Sequence, residues 1–381
     1  MTHNVIGTNV GNFLYLNGVL RSLMIDDNTV IQANYYNTNY YKPEYVNENF
    51  DCFVIPLADA FRENFVNELN ELTSFVKKLK IPCYVIGVGL KESYEPDFSQ
   101  PKPQDEAVKK FVTAVLEKSN CIGVRGELTG KYLETLGFAE GRDFMVIGCP
   151  SMYMKGKRLH IQNPKLDVNS KVCFNSNVAA SVPTRKFIKL KMKEFENHYF
   201  IGQVVNELRS IYLGAPYEYK IEYNFRNVTD KIYQDGRLRF FCNVPKWMEF
   251  LNDSDLTFGS RLHGNIAAVL AGTPALLVTK DSRTRELAEY HHLNAIHESK
   301  LNEKLTLQDL VEQQDFTQIE KYQKQNLDRY VAFLKKNDIP NILWMEKIHR
   351  KLHLTENKAD GFAGGNSSGF PMFSGRNCRK K

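Results

Sequence analysis

The sequence predicts an α/β protein of two Rossmann-like, doubly wound domains facing across a cleft. Three observations carry this. The chain has 381 residues, too many for one ordinary core, so two domains are the default. Short apolar runs alternate with amphipathic stretches, a βαβα rhythm that calls for parallel sheets. The rhythm also occurs twice, with the polar stretch 155–170 between its two runs.

In the first run, residues 51–57 (DCFVIPL) read as a strand and 63–80 as a helix, with apolar residues at 65, 66, 69, 72, 76 and 79. Pro82 opens a second strand, CYVIGVGL, whose unbroken apolar character suits a sheet covered on both faces. Residues 91–103 read as a loop and 105–118 as a helix. A short strand follows at 121–124, a helix at about 127–136 stopping at Gly137, and a strand at 145–148. The second run reads as strands at 171–176, 198–207 (leading into a helix), 256–258 and 275–278. Its helices lie at 184–197, 244–253, 264–271 and 284–290. Helical stretches at 322–336 and 342–353 follow. From 355 onward the composition turns to Gly, Ser, Asn and Asp, which reads as a disordered tail. The expected division is 1–155, 156–338, a C-terminal helix within 339–354, and the tail 355–381.

The net charge of +6, from 50 basic against 44 acidic residues, is mild and spread out, so no nucleic-acid partner is expected. The N-terminal stretch lacks a signal-peptide pattern. The best apolar run, residues 266–278, is too short to span a bilayer. Seven scattered cysteines without a CxxC pair read as reduced thiols. The expected location is cytoplasmic, with peripheral contact at the inner face of the membrane left open.

The stretch GSRLHGNIAAVLAGTPALLV (259–278) places a cation and an imidazole between an apolar strand and a small-residue helix. A helix start offers unpaired N–H groups and a positive dipole end. Ser260 is a candidate cap, Arg261 adds a fork suited to carboxylate or phosphate, and His263 adds an ionisable group. The bland alternative is a capped helix with Arg261 paired to a neighbouring acid. In CIGVRGELTG (121–130), Arg125 stands at a strand C-terminus, either as a ligand-binding cation or as a structural partner of Glu127. Gly126 there would permit close backbone approach. GTNVGN (7–12) reads as a glycine-bearing turn that matches no nucleotide-loop pattern. Cys149, in GCPSM, reads as a structural thiol, or as a nucleophile if a base is near. DSRTRE (281–286) is another helix start, carrying Arg283 and Arg285. His291 and His292 are adjacent and cannot share a helix face, so no metal site is expected.

With these residues in hand, the chain resembles the polysaccharide pyruvyl transferases. The resemblance rests on IGVRGELTGKYLETLGF (122–138), VIGCPSM (146–152) and FGSRLHGNIAAVLAGTPALLVTKDSRTREL (258–287), with NVGNFLYLNG (9–18) similar to the family's Asn-x-Gly-Asp turn. Asn12 stands where many relatives carry Asp, which puts an acid or base role there in doubt. The resemblance implies a GT-B-like fold in which the C-terminal helix, here 342–353, crosses back to the first domain. It implies transfer of a pyruvyl group from phosphoenolpyruvate, a co-substrate, to hydroxyls of a cell-surface polysaccharide or its precursor. No cofactor or metal is implied. The family motif places Ser260, Arg261, Leu262, His263 and Gly264 in the donor site, with Arg125 facing them. His263 is then the expected general acid/base and Arg261 a stabiliser of the departing phosphate. Two rivals are a GT-B glycosyltransferase with a nucleotide-sugar donor and a non-catalytic glycan-binding relative. The acceptor (free, nucleotide-linked or lipid-linked) and its linkage cannot be read, because acceptor pockets are built from variable loops. The aromatic-rich residues 34–45 are either a sugar-stacking loop or a solvated one.

Overall fold

A computed structural model describes residues 9–25, 29–31, 42–177, 179–216, 225 and 227–343. Two all-parallel sheets organise it. The first contains β1 (Phe53–Ile55), β2 (Cys83–Val88), β3 (Ile122–Val124) and β4 (Phe144–Val146), in that order. Four helices belong to this half: α1 (Gly11–Leu23), α2 (Pro43–Asn49), α3 (Val66–Lys77) and α4 (Asp105–Leu116). A fifth, α5 (Glu127–Thr135), joins β3 to β4. The six residues of β2 are all buried, as its unbroken apolar run requires.

The second sheet has β5 (Val172–Asn175), β6 (His198–Gly202), β7 (Leu238–Phe240), β8 (Leu256–Gly259), β9 (Ala275–Thr279) and β10 (Ala295–His297). Its order, β10-β9-β8-β5-β6-β7, is that of a doubly wound dinucleotide-binding sheet. The order in which strands are added reverses between the parallel neighbours β5 and β8, the place where ligands of such sheets bind. Helices α6 (Val182–Lys191), α7 (Val205–Leu213), α8 (Lys231–Gln234), α9 (Val244–Asn252), α10 (Leu262–Ala271), α11 (Ser282–His291), α12 (Leu307–Glu312) and α13 (Gln318–Lys336) complete this half. The α/β class and its paired parallel sheets are therefore as expected.

Several local readings change. Of the stretch 7–12 read as a turn, Asn9 and Val10 lead into α1 and Gly11 opens that helix, whose Gly18 lies against the backbone of Ser151 and Pro150. Close packing of the helix explains that glycine. Residues 1–8, including Gly7, lie outside the described chain, as do 32–41. The sequence reading lacked β7 and β10: Arg239 sits in the middle of β7 and His297 ends β10, so neither shows the unbroken apolar run that marks β1 and β4.

The two halves are tied by their helices. Helix α1 stands against the second half: Val10 N–H donates to Gln203 O at 2.8 Å, and Asn9 bridges Val204. Helix α13 runs back to the first half. Its Gln323 donates to Met152 O and Gly156 O, and Asn337 Oδ1 accepts from Asn120 N–H and Cys121 N–H. Tyr330 and Ser22 share a hydroxyl contact of 2.9 Å. One buried apolar cluster accordingly contains residues of both halves, from Leu14 and Ile147 to Phe258 and Phe333. Most of the helix expected at 342–353, and the whole tail, fall outside the described residues; the described element that crosses back is α13.

Candidate active site

Gly259 ends β8 so close to β5 that a Cβ there would overlap the Asn175 carbonyl oxygen. This tight junction lets Asn175 Oδ1 accept from Arg261 N–H at 2.8 Å. Arg261 is itself the N-cap of α10, and no side chain caps the helix. The Ser260 hydroxyl, expected as the cap, instead accepts from Asn177 N–H at 3.0 Å and ties the two strand ends together.

The guanidinium of Arg261 is buried, 5 % exposed. Its Nε donates to Ser176 O at 2.6 Å and its Nη2 to Glu207 Oε1 at 2.7 Å. Glu207 is fully buried and also accepts from Val204 N–H at 2.9 Å. The pair is a closed ionic joint between the start of α10 and the start of α7. The neighbouring-acid alternative is thus what the structure places here, with an acid 54 residues away that no local pattern pointed to. Leu262 is buried in the first turn, and Gly264 lies against the side chains of Gln203 and Asn175.

Arg125 stands directly after β3. Its N–H donates to Val88 O and its Nε to Gly87 O, both within 2.9 Å. The guanidinium lies 4.8 Å over the ring of Tyr15. Tyr15 is fixed in turn by its hydroxyl, which donates to Leu57 O at 2.9 Å and to Ile86 O. Arg125 is only 1 % exposed, and its Nη2 has no hydrogen-bond partner among the described residues. Glu127, its candidate partner along the sequence, is not among the groups that act on it; the acids whose charges reach Arg125 are Asp59 and Glu286. A buried cation with an unsatisfied donor is costly unless an anion arrives to meet it.

Glu286 comes from α11 and reaches into the first half. It accepts from Thr129 N–H at 3.0 Å and from Thr129 Oγ1 at 2.8 and 2.9 Å, at the N-terminus of α5. Gly126 is what admits it, since a Cβ there would lie 2.8 Å from Glu286 Cβ. The close approach expected at Gly126 is therefore made by this side chain. Burial pushes the Glu286 carboxyl up to about 7, against the pull of the Thr129 bonds and Arg125. A folded-state pKa raised from 4.5 gives stability that is fully present below pH 4.5 and lost as pH rises through 7. Glu286→Gln should match wild type in urea unfolding near pH 4.5. By pH 8 it should be the more stable protein, by about 3 kcal/mol. A constant difference across that range would refute the shifted carboxyl.

His263, in the first turn of α10, is half-buried and faces α1, where Gly11 packs against its Cβ. Its ring lies 6.2 Å from that of Tyr15, and its Nε2 is 3.9 Å from the Cys149 thiol. That thiol contacts Ser151 Oγ at 2.9 Å, and Cys149 N–H donates to His291 Nε2. Burial, then the charges of Arg125 and Arg283, depress the imidazole to about 3, with Asp59 opposing. The charged imidazolium is therefore disfavoured at this position.

Asp59, in the loop after β1, takes Arg62 at 2.9 Å and Arg283 at 3.2 Å. Burial opposes its ionisation, yet Arg283, Arg62, Arg125 and Lys91 hold the carboxyl well below its usual range. The same charges act on both His263 and Asp59, which places Arg125, Arg283, Asp59 and His263 in one junction between the two halves. Sequence reasoning placed Arg125 and His263 and noted Arg283 only as part of a helix start. It missed Asp59, Glu207, Glu286 and Tyr15. None of these four carries a local signature; each acts on a group brought to it by folding.

Among the described residues, no group of three or more His, Cys, Asp or Glu is placed to hold a metal ion. No helix among them is long and apolar enough to cross a membrane.

Among solved structures, the chain is similar to an uncharacterised protein of Klebsiella pneumoniae: 11% identity, 76% of this chain, 89% of that one, TM-score 0.42. It is also similar to UDP-bound MnaA of S. aureus: 12% identity, 92% and 89% covered, TM-score 0.41. A third is a UDP-GlcNAc 2-epimerase of Neisseria meningitidis: 12% identity, 81% and 76% covered, TM-score 0.35. The fold assignment rests on strand order and not on these superpositions. No curated protein matches the chain. The family model for polysaccharide pyruvyl transferase matches residues 9–282, from the start of α1 through the beginning of α11, and the chain belongs to that family.

Proposed function

We propose that the protein transfers the pyruvyl group of phosphoenolpyruvate to two hydroxyls of a sugar in a cell-surface polysaccharide or its precursor, forming a ketal. One observation carries the reading: Arg125 presents a buried, unsatisfied Nη2 beside His263, whose charged form is disfavoured, in a chain of this family. The donor is a small polyanion, and a desolvated guanidinium is the group suited to hold one.

The chemistry follows from the state of His263. Neutral imidazole accepts the proton of the first sugar hydroxyl as its oxygen attacks C2 of the enol. The imidazolium so formed is a strong acid, because its surroundings disfavour the charge. The C2=C3 π pair takes this proton at C3 as the C2–O bond forms, which returns the imidazole to its neutral form and gives a methyl group and a tetrahedral phosphate adduct. Phosphate then leaves C2 with the bonding electrons, and the second hydroxyl closes the ketal, its proton ending on phosphate. Arg125 stabilises the departing charge. Arg261 supports this step indirectly: its ion pair with Glu207 fixes the start of α10 and hence the position of His263. In this reading the donor lies at the junction, between Arg125 of residues 1–155, which also offer the acceptor side, and His263 of residues 156–338, and the enzyme works in the cytoplasm.

The test is incubation with phosphoenolpyruvate and candidate glycans, following phosphate release together with the mass gain of one pyruvyl. His263→Ala should lower turnover by about 10²–10⁴-fold. Absence of pyruvyl transfer to any glycan, or unaltered turnover in the variant, would sink the assignment. The reversal between β5 and β8 is the feature that favours a nucleotide-sugar donor instead. A rise in melting temperature with nucleotide sugars but not with phosphoenolpyruvate would select that reading.

A further inference from the structure

The Asp59 cluster has more cations than its carboxylates satisfy. Arg62 Nη1 and Arg283 Nη1 both meet Asp59 Oδ2, and Arg283 Nη2 also lies 3.5 Å from Asp281 Oδ2. The Nε atoms of Arg62 and Arg283 are buried with no hydrogen-bond partner among the described residues, and so is Nη2 of the nine-tenths-buried Arg125. Lys91 adds its charge to the same carboxylate. Arg62 and Asp59 belong to the first half and Arg283 to the second, so the cluster lies across the junction that also contains His263.

We propose that Asp59 is an internal stand-in for a phosphoryl group. Its carboxylate competes with a ligand phosphate for Arg62 and Arg283, which together with Arg125 form a phosphate subsite at the junction. A phosphate has three oxygens for donors that two carboxylate oxygens leave partly unused, and guanidinium forks match it in pairs. The subsite takes the phosphate of the donor proposed above, and rests on that reading for the identity of the donor only. Because the subsite draws on both halves, phosphate binding also holds them in register.

The sign of the expected effect is opposite to that of an ordinary binding residue. In calorimetric titrations of the full chain with inorganic phosphate at fixed ionic strength, Asp59→Asn should bind about tenfold tighter than wild type, one charge-assisted pair being worth on the order of a decade. Arg283→Gln should bind about tenfold weaker, and pyruvate, a carboxylate without phosphate, should discriminate far less among the three proteins. Equal or weaker phosphate binding by a normally melting Asp59→Asn overturns the proposal. The wild-type chain gives a second measurement that needs no variant: phosphate should slow phenylglyoxal modification of Arg62 and Arg283, and an unchanged rate overturns it equally. Tighter phosphate binding by Asp59→Asn without any binding of phosphoenolpyruvate would support the subsite while removing the donor reading.

Discussion

Arg125→Ala should abolish donor binding at concentrations that saturate the wild type, a loss of roughly two orders of magnitude or more in affinity for phosphoenolpyruvate. Two charge-assisted hydrogen bonds to an anion in a desolvated site are each worth about 1.5–3 kcal/mol. Arg125 is held for that purpose by three separate devices: the Gly87 carbonyl on Nε, the Val88 carbonyl on its own N–H, and the Tyr15 ring beneath the guanidinium. Arg125→Lys should recover little, since an ammonium cannot bond Gly87 O and present a free fork at once. The measurement is a calorimetric titration with phosphoenolpyruvate, with circular dichroism melts as the folding control. Donor binding unchanged in a folded Arg125→Ala would place the anion elsewhere.

Glu207→Met should destabilise the protein by about 3–5 kcal/mol, because it strands the buried Arg261 charge without its partner. Arg261→Met alone should cost a similar amount by stranding Glu207, which is fully buried. The double variant Glu207→Met with Arg261→Met should recover most of the loss, as hydrophobic replacement of a buried pair is often near neutral. Urea unfolding of the four proteins closes the cycle. The same cycle separates two roles for Arg261. If it only holds the start of α10, a folded double variant keeps phosphoenolpyruvate affinity. If its guanidinium also meets the donor, affinity falls even where stability is restored.

The outcome at Arg261 shows where local reasoning stops. A strand, a tight turn, an Arg and a small-residue helix were all readable in residues 256–271. Nothing within that stretch names the group on the guanidinium. Glu207 belongs to another helix, and only the β5–β8 adjacency brings the start of α7 against the start of α10. His263 changed in a similar way. Its ordinary pKa suggested an acid/base near neutrality, but burial and the charges of Arg125 and Arg283 disfavour its charged form.

By itself the sequence determined the α/β class, the two parallel sheets and the family, and it singled out Arg125 and His263 as candidates. These are properties of periodicity and of short motifs, which neighbours along the chain encode. The tertiary structure alone decided the partners: Glu207 for Arg261, Glu286 for the start of α5, Tyr15 beneath Arg125, and Asp59 between Arg62 and Arg283. Charge state and ligand-binding capacity depend on burial and on charges a few ångströms away. Those neighbours come from distant parts of the chain, so spacing along the sequence carries no record of them.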